Sequence, residues 1–352
     1  MPSFQSTFTT LQIPQPLNDN PVKIILCGYG PLGLALLKGL LKAQDQGLCQ
    51  IVGVFRWSDA LRQNSYKLPE FFLESAEAEI AKLCSEHQLH KLQGKGLNSY
   101  AFMTELLHLK PDMVLIGSWG EKLKAHLLND TKALFINCHP SLLPAHRGPN
   151  PYASVILNNE TETGVTFHRM SEIIDAGPII LQSRLPVYPD DDGGSIRERC
   201  SEVAQSLIPE LLSLVTPTRM VGTALKEKIQ DKAIASYFSA LSADDARINW
   251  TVSPHELSRI LRARFPWAMA YTPILMSQLR LYLGPAKAIE NNPGREPDKP
   301  GRVISIDKTG LYLSTQVPKQ QLRVQNYAVS IGSLKLSQRL STLLLKLLKP
   351  FL

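Results

Sequence analysis

Three polar side chains near the middle of the sequence have the types that acid–base chemistry needs. Asn137 and His139 flank Cys138 at the end of an apolar run, and Asp175 follows in an Asp-Ala-Gly-Pro turn. Because strand side chains alternate between faces, Asn137 and His139 should share one face and Cys138 the other. A carboxylate orients a nearby imidazole and an amide N–H can bind an oxyanion, which suits acyl transfer to an amine. A polar strand end followed by an ordinary turn aspartate is the competing interpretation.

The segments around these residues predict an α/β domain. Apolar, β-branched runs alternate with segments of helical spacing, which is typical of βαβ units and a Rossmann-like, mostly parallel sheet. The predicted strands lie at residues 22–27, 51–55, 113–116, 134–138, 164–170 and 178–187, and the predicted helices at residues 32–41, 76–87, 99–109 and 195–215. His139 would then lie at the carboxyl end of a parallel strand, where such folds bind ligands.

The last third of the chain has a different pattern. One helix, at residues 255–264, accompanies short strand candidates with Pro/Gly-rich turns between them, notably at residues 291–301. The strand candidates lie at residues 279–283, 302–306, 311–314 and 321–324. This pattern predicts a smaller β-barrel-like, OB-like domain. The predicted organisation is a flexible tail (1–20), a catalytic domain (21–216), a linker (217–236) and a C-terminal substrate-binding domain (237–352).

Composition narrows the class of protein. The 352 residues are 44% hydrophobic and 20% charged, values that argue against disorder. The net charge of +7 allows a polyanionic partner, and no apolar run is long enough for a membrane span. Five cysteines without a CxxC motif argue against a disulfide framework or a thiolate zinc site, and residues 1–20 do not resemble a secretory signal. We therefore expect a reduced, cytoplasmic protein.

Two further motifs leave alternatives open. Gly28-Tyr29-Gly30-Pro31-Leu32-Gly33 is a GxGxxG sequence between a strand and a helix, and it is either an NADP site aided by Arg56 or a tight structural turn. The usual acidic ribose ligand after the second strand is absent. His87 and His90 lack a third ligand, so they are expected to be a surface pair rather than a metal site.

Linked motifs around the polar residues resemble a known family. They are Asn137-x-His139-Pro140-Ser141-Leu142-Leu143-Pro144, Arg147-Gly148, Glu162-Thr163-Gly164-Val165-Thr166 and Asp175-x-Gly177. Over about residues 22–215 they resemble the formyltransferases that use 10-formyltetrahydrofolate. The resemblance implies a Rossmann-like formyltransferase fold, in which Asn137, His139 and Asp175 are catalytic and the glycine motif is a structural turn without a nicotinamide cofactor.

The same resemblance implies which segments contact the co-substrate 10-formyltetrahydrofolate, and it implies no metal. Three segments match the folate-contacting parts of the family: the loop after the catalytic strand, a segment before that strand and the turn before Asp175. They are Ser141, Leu142, Leu143 and Pro144; Glu121, Lys122 and Leu123; and Ser171, Glu172, Ile173 and Ile174.

The amine acceptor has two candidates. Residues 235–237, 243–250 and 262–267 resemble the C-terminal domain of methionyl-tRNA formyltransferases, which implies methionyl-tRNA as the acceptor. Residues 159–170 resemble the sugar-nucleotide formyltransferases, which implies an amino-sugar nucleotide. Residues 56–73 also lack the basic, glycine-containing loop of the tRNA enzymes.

Other expectations concern the basic residues of the last third. The candidate tRNA contacts are Arg247, Arg259, Arg262, Arg264, Lys335, Arg339, Lys346 and Lys349. The leucine-rich residues 334–348 predict a terminal helix packed on the second domain, with a membrane surface or tRNA contact as alternatives. A non-catalytic tRNA-binding protein and an NADP-dependent oxidoreductase are the alternatives from other classes.

Overall fold

The structure is a computed structural model that describes residues 21–56, 70–221, 225–241, 246–274, 276–290, 299–331 and 334–348. Several expectations fall outside these residues. They are the tail 1–20, residues 57–69 of the predicted loop, residues 222–224 of the linker, residues 243–245, residues 291–298 and Lys349.

A six-stranded sheet forms the centre of the first part of the chain. Its strands are β1 (Val22–Gly28), β2 (Cys49–Arg56), β3 (Met113–Gly117), β4 (Leu134–His139), β5 (Glu162–Arg169) and β6 (Ile179–Pro186). Their order is β2-β1-β3-β4-β5-β6. The β2, β1, β3 and β4 neighbours pair in parallel, whereas β5 pairs antiparallel with both β4 and β6. All five residues of β3 are buried, as expected of a central strand covered on both faces.

Helices cover both faces of this sheet, with one apolar core on each side. They are α1 (Gly30–Asp45), α2 (Glu70–Glu86), α3 (Tyr100–Leu109), α4 (Ala125–Asn129), α5 (Pro151–Leu157), α6 (Gly193–Ser206) and α7 (Ile208–Val221). A Cβ on Gly39 of α1 would lie 2.7 Å from Ile208 Cγ1 and 2.9 Å from Gln205 O. Glycine therefore permits the close packing of α1 on the junction of α6 and α7.

The single helix predicted at residues 195–215 is two helices. Pro209 lies in the first turn of α7 and has no N–H with which to continue α6. The first of the two helices begins earlier than predicted because Asp192 caps it. Its carboxylate accepts a hydrogen bond from Ser195 N, while Ser195 Oγ accepts one from Asp192 N.

The last part of the chain contains two four-stranded antiparallel sheets over one apolar core. Its strands are β7 (Ala270–Ile274), β8 (Met276–Leu283), β9 (Ala286–Glu290), β10 (Val303–Asp307), β11 (Gly310–Ser314), β12 (Gln320–Val324), β13 (Tyr327–Ile331) and β14 (Leu334–Lys335), and its helices are α8 (Pro254–Arg264) and α9 (Gln338–Leu348). The sheet orders are β10-β11-β12-β9 and β14-β13-β8-β7. The predicted fold class, an α/β domain followed by a smaller β-rich domain, is confirmed.

The two parts of the chain contact each other through α5, α6 and α8. Tyr152 stacks on Trp267 with 5.5 Å between ring centroids, and the guanidinium of Arg197 lies 5.2 Å from the Trp267 ring. Arg262 donates a 2.5 Å hydrogen bond to the carbonyl of Asp191. Among the described helices, none is long and apolar enough to cross a membrane.

Candidate active site

Strand β4 carries two of the predicted residues, Asn137 and His139, on one face. Ile136 and Cys138 belong to the core on one face of the sheet, and Phe135 belongs to the core on the other. Alternation therefore puts Asn137 and His139 together on the face opposite Cys138, as predicted. His139 is buried, with 5% of its surface exposed.

Asp175 meets both residues from the turn that follows β5. Its Oδ2 lies 3.6 Å from His139 Nδ1, and its Oδ1 accepts a 3.3 Å hydrogen bond from Asn137 Nδ2. Gly148 N donates a further hydrogen bond of 2.8 Å to Oδ2. Asp175 has a backbone φ of +54°, a left-handed conformation that is uncommon for a residue other than glycine. The structure thus brings the three predicted catalytic residues together.

A fourth polar residue, His168, was not predicted. It lies directly opposite Asn137 in the antiparallel β4–β5 pairing, and its Nε2 is 3.1 Å from Asn137 Nδ2 and 3.6 Å from Asp175 Oδ1. Its Nδ1 donates to the carbonyl of Arg169, so a neutral ring accepts the Asn137 N–H at Nε2. Its place in the site follows from the β4–β5 pairing, which the sequence alone did not indicate.

The loop after β4 closes the other side of His139. The ring Nε2 donates a 2.9 Å hydrogen bond to the carbonyl of His146, whose own φ is +59°. The His146 ring is fixed in turn, with its Nδ1 2.7 Å from Ser154 Oγ. Both nitrogens of His139 therefore face oxygen atoms, a carbonyl and a carboxylate. A protonated ring would be stabilised on both sides.

The electrostatics favour an ionised Asp175 and a neutral His139. Burial opposes ionisation of Asp175, but its electrostatic interactions with His139 and His168 and the hydrogen bond from Gly148 N outweigh it, so the pKa of this carboxyl lies well below its usual value. For His139, burial is the largest influence and lowers the pKa below 6.5, although Asp175 and the His146 carbonyl oppose it. At neutral pH, the pair is a carboxylate beside a proton acceptor.

One more residue, Gln230, reaches the site from a distant segment. Gln230 is buried, and its Nε2 donates to the carbonyls of Asp175 (2.8 Å) and Gly177 (2.6 Å). Its Oε1 accepts two hydrogen bonds from the guanidinium of Arg147, at 3.1 and 2.7 Å. Sequence spacing gave no signal for Gln230, because it is far from the other site residues along the chain.

A cavity of about 330 Å³ lies at the opposite end of β4 from His139. Among the predicted folate contacts, Ser171 and Glu172 line it. The complete lining is Leu128, Asn129, Ala133, Leu134, Phe135, Arg169, Met170, Ser171 and Glu172. Phe135, which lines the cavity, lies two residues before Asn137 and therefore on the same face of β4.

The other predicted folate contacts do not line this cavity. Ile173 and Ile174 are exposed on the turn into Asp175, at 66% and 45%. The loop at residues 141–144 packs inward: Ser141 and Leu143 are buried, and a Cβ on Gly164 of β5 would lie 2.3 Å from Leu142 Cδ2. Pro144 follows Leu143 through a cis peptide bond.

The segment before β4, residues 121–123, makes its hydrogen bonds and packing contacts within the protein. The Glu121 carboxylate accepts hydrogen bonds from the backbone N–H groups of Leu97 and Asn98, and the carbonyl of Lys122 accepts one from the Asn98 side chain. Leu123 is buried in the core. The carboxylate of Glu121 thus orders the turn at residues 97–98.

The glycine motif has the geometry of a tight structural turn. A Cβ on Gly33 would lie 2.9 Å from the carbonyl carbon of Gly28, so β1 and α1 approach too closely for a side chain. Gly30 N at the start of α1 donates to the carboxylate of Glu77 at 2.9 Å. That carboxylate lies where a dinucleotide site would receive a pyrophosphate.

The remaining candidates are structural. Burial raises the pKa of the Cys138 thiol well above its usual value, so this residue is not an activated nucleophile. All five cysteines are buried and unpaired. Within the described part of the chain, no group of three His, Cys, Asp or Glu residues could hold a metal ion.

Fold and site together define a protein with a buried Asn–His–Asp cluster at the edge of a Rossmann-like sheet. The sequence profile of the formyl transferase domain matches residues 27–212, and that of the formyl transferase C-terminal domain matches residues 240–330. The chain belongs to the formyl transferase family and is a formyltransferase. Because the chain belongs to this family, the interpretation of the glycine motif as the NADP site of an oxidoreductase is abandoned.

Individual relatives cover most of the chain. A methionyl-tRNA formyltransferase from Legionella pneumophila (strain Paris) is 27% identical over 296 residues, 84% of this chain and 88% of that one. The fold is similar to that of an N-formyltransferase from Helicobacter canadensis in complex with folinic acid and dTDP-3-aminofucose (TM-score 0.59, 18% identity, 86% of this chain and 99% of that one). It is also similar to HypX from Aquifex aeolicus in complex with tetrahydrofolic acid (TM-score 0.63, 16% identity). The matched region comprises 94% of this chain and 48% of that longer chain.

Proposed function

We propose that this enzyme transfers the formyl group of 10-formyltetrahydrofolate to the amino group of methionyl-tRNA. The observation that carries the transfer is the convergence of Asn137, His139 and Asp175 in one polar cluster. These groups supply a proton acceptor, an amide donor and a carboxylate, the set that acyl transfer to an amine requires.

The chemistry follows from the charges. The acceptor nitrogen attacks the formyl carbon, forming the new C–N bond while the carbonyl oxygen becomes an oxyanion. His139 takes on its Nδ1 the proton released by the nitrogen, because its Nε2–H is bonded to the His146 carbonyl, and the ionised Asp175 beside Nδ1 stabilises the imidazolium that results. The Asn137 amide donates a hydrogen bond to the oxyanion when one of its two N–H groups turns away from His168 or Asp175, to which both are bonded in the structure. Collapse of the intermediate breaks the bond to the folate nitrogen, which leaves with the proton held by His139.

The cavity suits the pterin end of the formyl donor. Its volume is at the lower end of the range for small-molecule sites, and Leu128, Phe135 and Met170 give it apolar walls. Ser171 and Glu172 add polar groups at its edge, which could hydrogen-bond the amino and amide groups of a pterin. Ile173 and Ile174 would contact the donor between this cavity and Asp175.

A surface on the second part of the chain supports tRNA as acceptor. On the outer face of the β14-β13-β8-β7 sheet, Tyr271 and Tyr282 are cross-strand partners with ring centroids 5.6 Å apart. The exposed Arg280 lies 4.5 Å from the Tyr271 ring, and the exposed Lys335 lies 4.8 Å from the Tyr282 ring. Aromatic rings interleaved with cations are typical of surfaces that contact nucleic acids.

The predicted basic contacts on α8 need correction. Arg264 is buried and donates to the carbonyl of Ala268, and Arg262 donates to the carbonyl of Asp191 at the contact between the two parts of the chain. Arg259 is half-buried, with its Nε shielded from solvent. Arg262 and Arg264 therefore serve packing, whereas the half-buried Arg259 and the exposed Arg247, Lys335, Arg339 and Lys346 remain candidate tRNA contacts.

An amino-sugar nucleotide is the second candidate acceptor. His168 in the 159–170 segment, which resembles the sugar-nucleotide enzymes, lies within the polar cluster. The Helicobacter canadensis relative in fold binds dTDP-3-aminofucose. We also propose a cytoplasmic location, because a reducing compartment suits five unpaired cysteines.

Offering both acceptors with one donor tests the choice. The protein is incubated with 10-formyltetrahydrofolate and either methionyl-tRNA or a panel of dTDP- and UDP-amino sugars, and formylated products are identified by mass spectrometry. Formylation of methionyl-tRNA with no reaction of the sugars supports the proposal. Formylation of a sugar alone would replace methionyl-tRNA by that nucleotide.

A further inference from the structure

Residues 228–238, here called the clasp segment, join the two parts of the chain and lie against the catalytic loops. Lys228 exchanges two 2.8 Å backbone hydrogen bonds with Ile179, just after the Asp175 turn. Further along, Arg147 N donates to Ser236 O at 2.9 Å, and Phe238 N donates to Arg147 O at 2.8 Å. The clasp segment therefore pairs with the Asp175 turn at one end and with the loop after β4 at the other.

Gln230 connects those two loops through a single side chain. Its two donors hold the carbonyls on either side of Ala176, and its acceptor holds the Arg147 guanidinium. All of its hydrogen-bonding groups have partners, and only 5% of its surface is exposed. Such a buried, fully bonded amide fixes its neighbours, because any movement would leave a polar group unpaired.

Gln230 holds the two loops whose groups surround His139 and influence its protonation. Asp175 has the left-handed backbone noted above, and its carbonyl is one of the two held by Gln230. Arg147 lies between His146, whose carbonyl accepts from His139, and Gly148, whose N–H donates to Asp175. A displacement of either loop would separate Asp175 from His139.

We propose that Gln230 is a positioning residue that holds the Asp175 turn and the loop after β4 in place, so that Asp175 stays beside His139. The inference deepens the proposed function and rests on it for the kinetic consequence. Misplacement of a positioned group by about 1 Å lowers turnover by about 100-fold. The donor cavity does not include the clasp segment, so donor binding should change little.

The test compares two variants with a neighbouring control. Gln230→Met keeps the length of the side chain and removes its donors and acceptor, whereas Gln230→Glu keeps an acceptor for Arg147 and removes both donors. Ile229→Ala alters the adjacent residue, which is 85% exposed. Both Gln230 variants should lower kcat about 10- to 100-fold with the KM for the donor within about twofold of the wild type. The Ile229 variant should match the wild type.

A second measurement does not depend on turnover. NMR titration of the His139 ring reports its proximity to Asp175, with His146 and His168 as the other titratable groups nearby. Separation of the two residues removes the influence of Asp175 that raises the His139 pKa, so the ring should titrate at a lower pH in a folded Gln230 variant than in the wild type. Circular dichroism establishes which variants fold, and either variant suffices.

The outcomes separate the two proposals. A wild type without formyl transfer would overturn the proposed function, while the titration would still decide the role of Gln230. An unchanged His139 titration in a folded variant, or an unchanged kcat, would overturn the positioning role. A rise in KM alone would assign Gln230 to binding instead.

Discussion

At the scale of single residues, the charge of the site depends on Asp175. Its carboxylate faces Asn137, His139, His168 and the Gly148 N–H, and little of it meets water. A buried carboxylate surrounded by donors remains ionised when its neighbours exchange protons. His139 therefore transfers the proton, and Asp175 stabilises the positive charge that forms on His139.

Removing either member of the pair should abolish most turnover. We expect His139→Ala and Asp175→Ala each to reduce kcat by about 100-fold or more, because each removes a positioned acid–base or charge-stabilising group. The matched control is Cys138→Ala, which alters the buried residue on the opposite strand face and should retain most activity. Steady-state formyl transfer measures all three. An inactive Cys138 variant beside an active His139 variant would contradict the assignment.

The pH profile follows from the lowered His139 pKa. The neutral ring is the active form, so kcat should be constant at neutral pH and fall as the pH decreases through a midpoint below 6.5. Asp175→Asn removes the carboxylate that raises the His139 pKa, so the midpoint of the residual activity should move to still lower pH. Measuring kcat across pH for the wild type and for Asp175→Asn tests both expectations. A wild-type midpoint above 6.5 or an upward shift in the variant would contradict this account.

Some of these residues were predictable from sequence and others were not. Asn137, His139 and Asp175 belong to local motifs, and strand alternation alone put the first two on one face. His168 joins the site through the β4–β5 register, which depends on tertiary pairing. Gln230 joins it through the path of the chain between two domains, which short-range periodicity does not report.

At the scale of elements, the loop after β4 determines how tightly the site closes. Gly148 has a φ of +104°, and a Cβ at this position would lie 2.3 Å from the carbonyl oxygen of Phe238. Its N–H must nevertheless reach Asp175. Only glycine satisfies the backbone conformation, the close approach and the hydrogen bond together.

A side chain at Gly148 should therefore damage both stability and activity. We expect Gly148→Ala to lower the free energy of unfolding by roughly 1–3 kcal/mol, through backbone strain and the clash with Phe238, and to reduce kcat at least tenfold. Gly194→Ala is the control, because its added Cβ in α6 meets only side-chain atoms within 4 Å. Denaturant unfolding and formyl transfer measure the two effects. A Gly148 variant as stable and active as the control would show that the loop tolerates displacement.

Two of the strands missed in the C-terminal domain, β7 and β9, share a physical reason. Pro273 lies within β7, where a strand is not expected from sequence. Lys287 and Glu290 give β9 a polar sequence pattern, although the other residues of β9 are buried or half-buried. Edge and half-buried strands depend on their partners more than on their own propensity. Strands β8 and β11, with a higher density of apolar residues, were located from sequence to within a few residues.

At the scale of the whole molecule, the second part of the chain provides the surface proposed for the acceptor. Binding of tRNA releases counterions, and each lost phosphate contact lowers the log–log salt slope by up to about one unit. Arg280→Glu and Lys335→Glu should each weaken methionyl-tRNA formylation and flatten its salt dependence. Lys308→Glu, at an exposed position in the turn between β10 and β11 of the other sheet, should match the wild type. A salt dependence unaffected by the first two variants would exclude this face as the tRNA surface.

The central claim is that the Asn137–His139–Asp175 cluster moves a formyl group from a folate to an amine. The most direct measurement is the stoichiometry of transfer, in which tetrahydrofolate formed and acceptor formylated are quantified in one reaction for the wild type and Asp175→Ala. The account predicts equal amounts of the two products with the wild type and loss of both with the variant. Tetrahydrofolate released without formylated acceptor, or full transfer by a folded Asp175 variant, would contradict it.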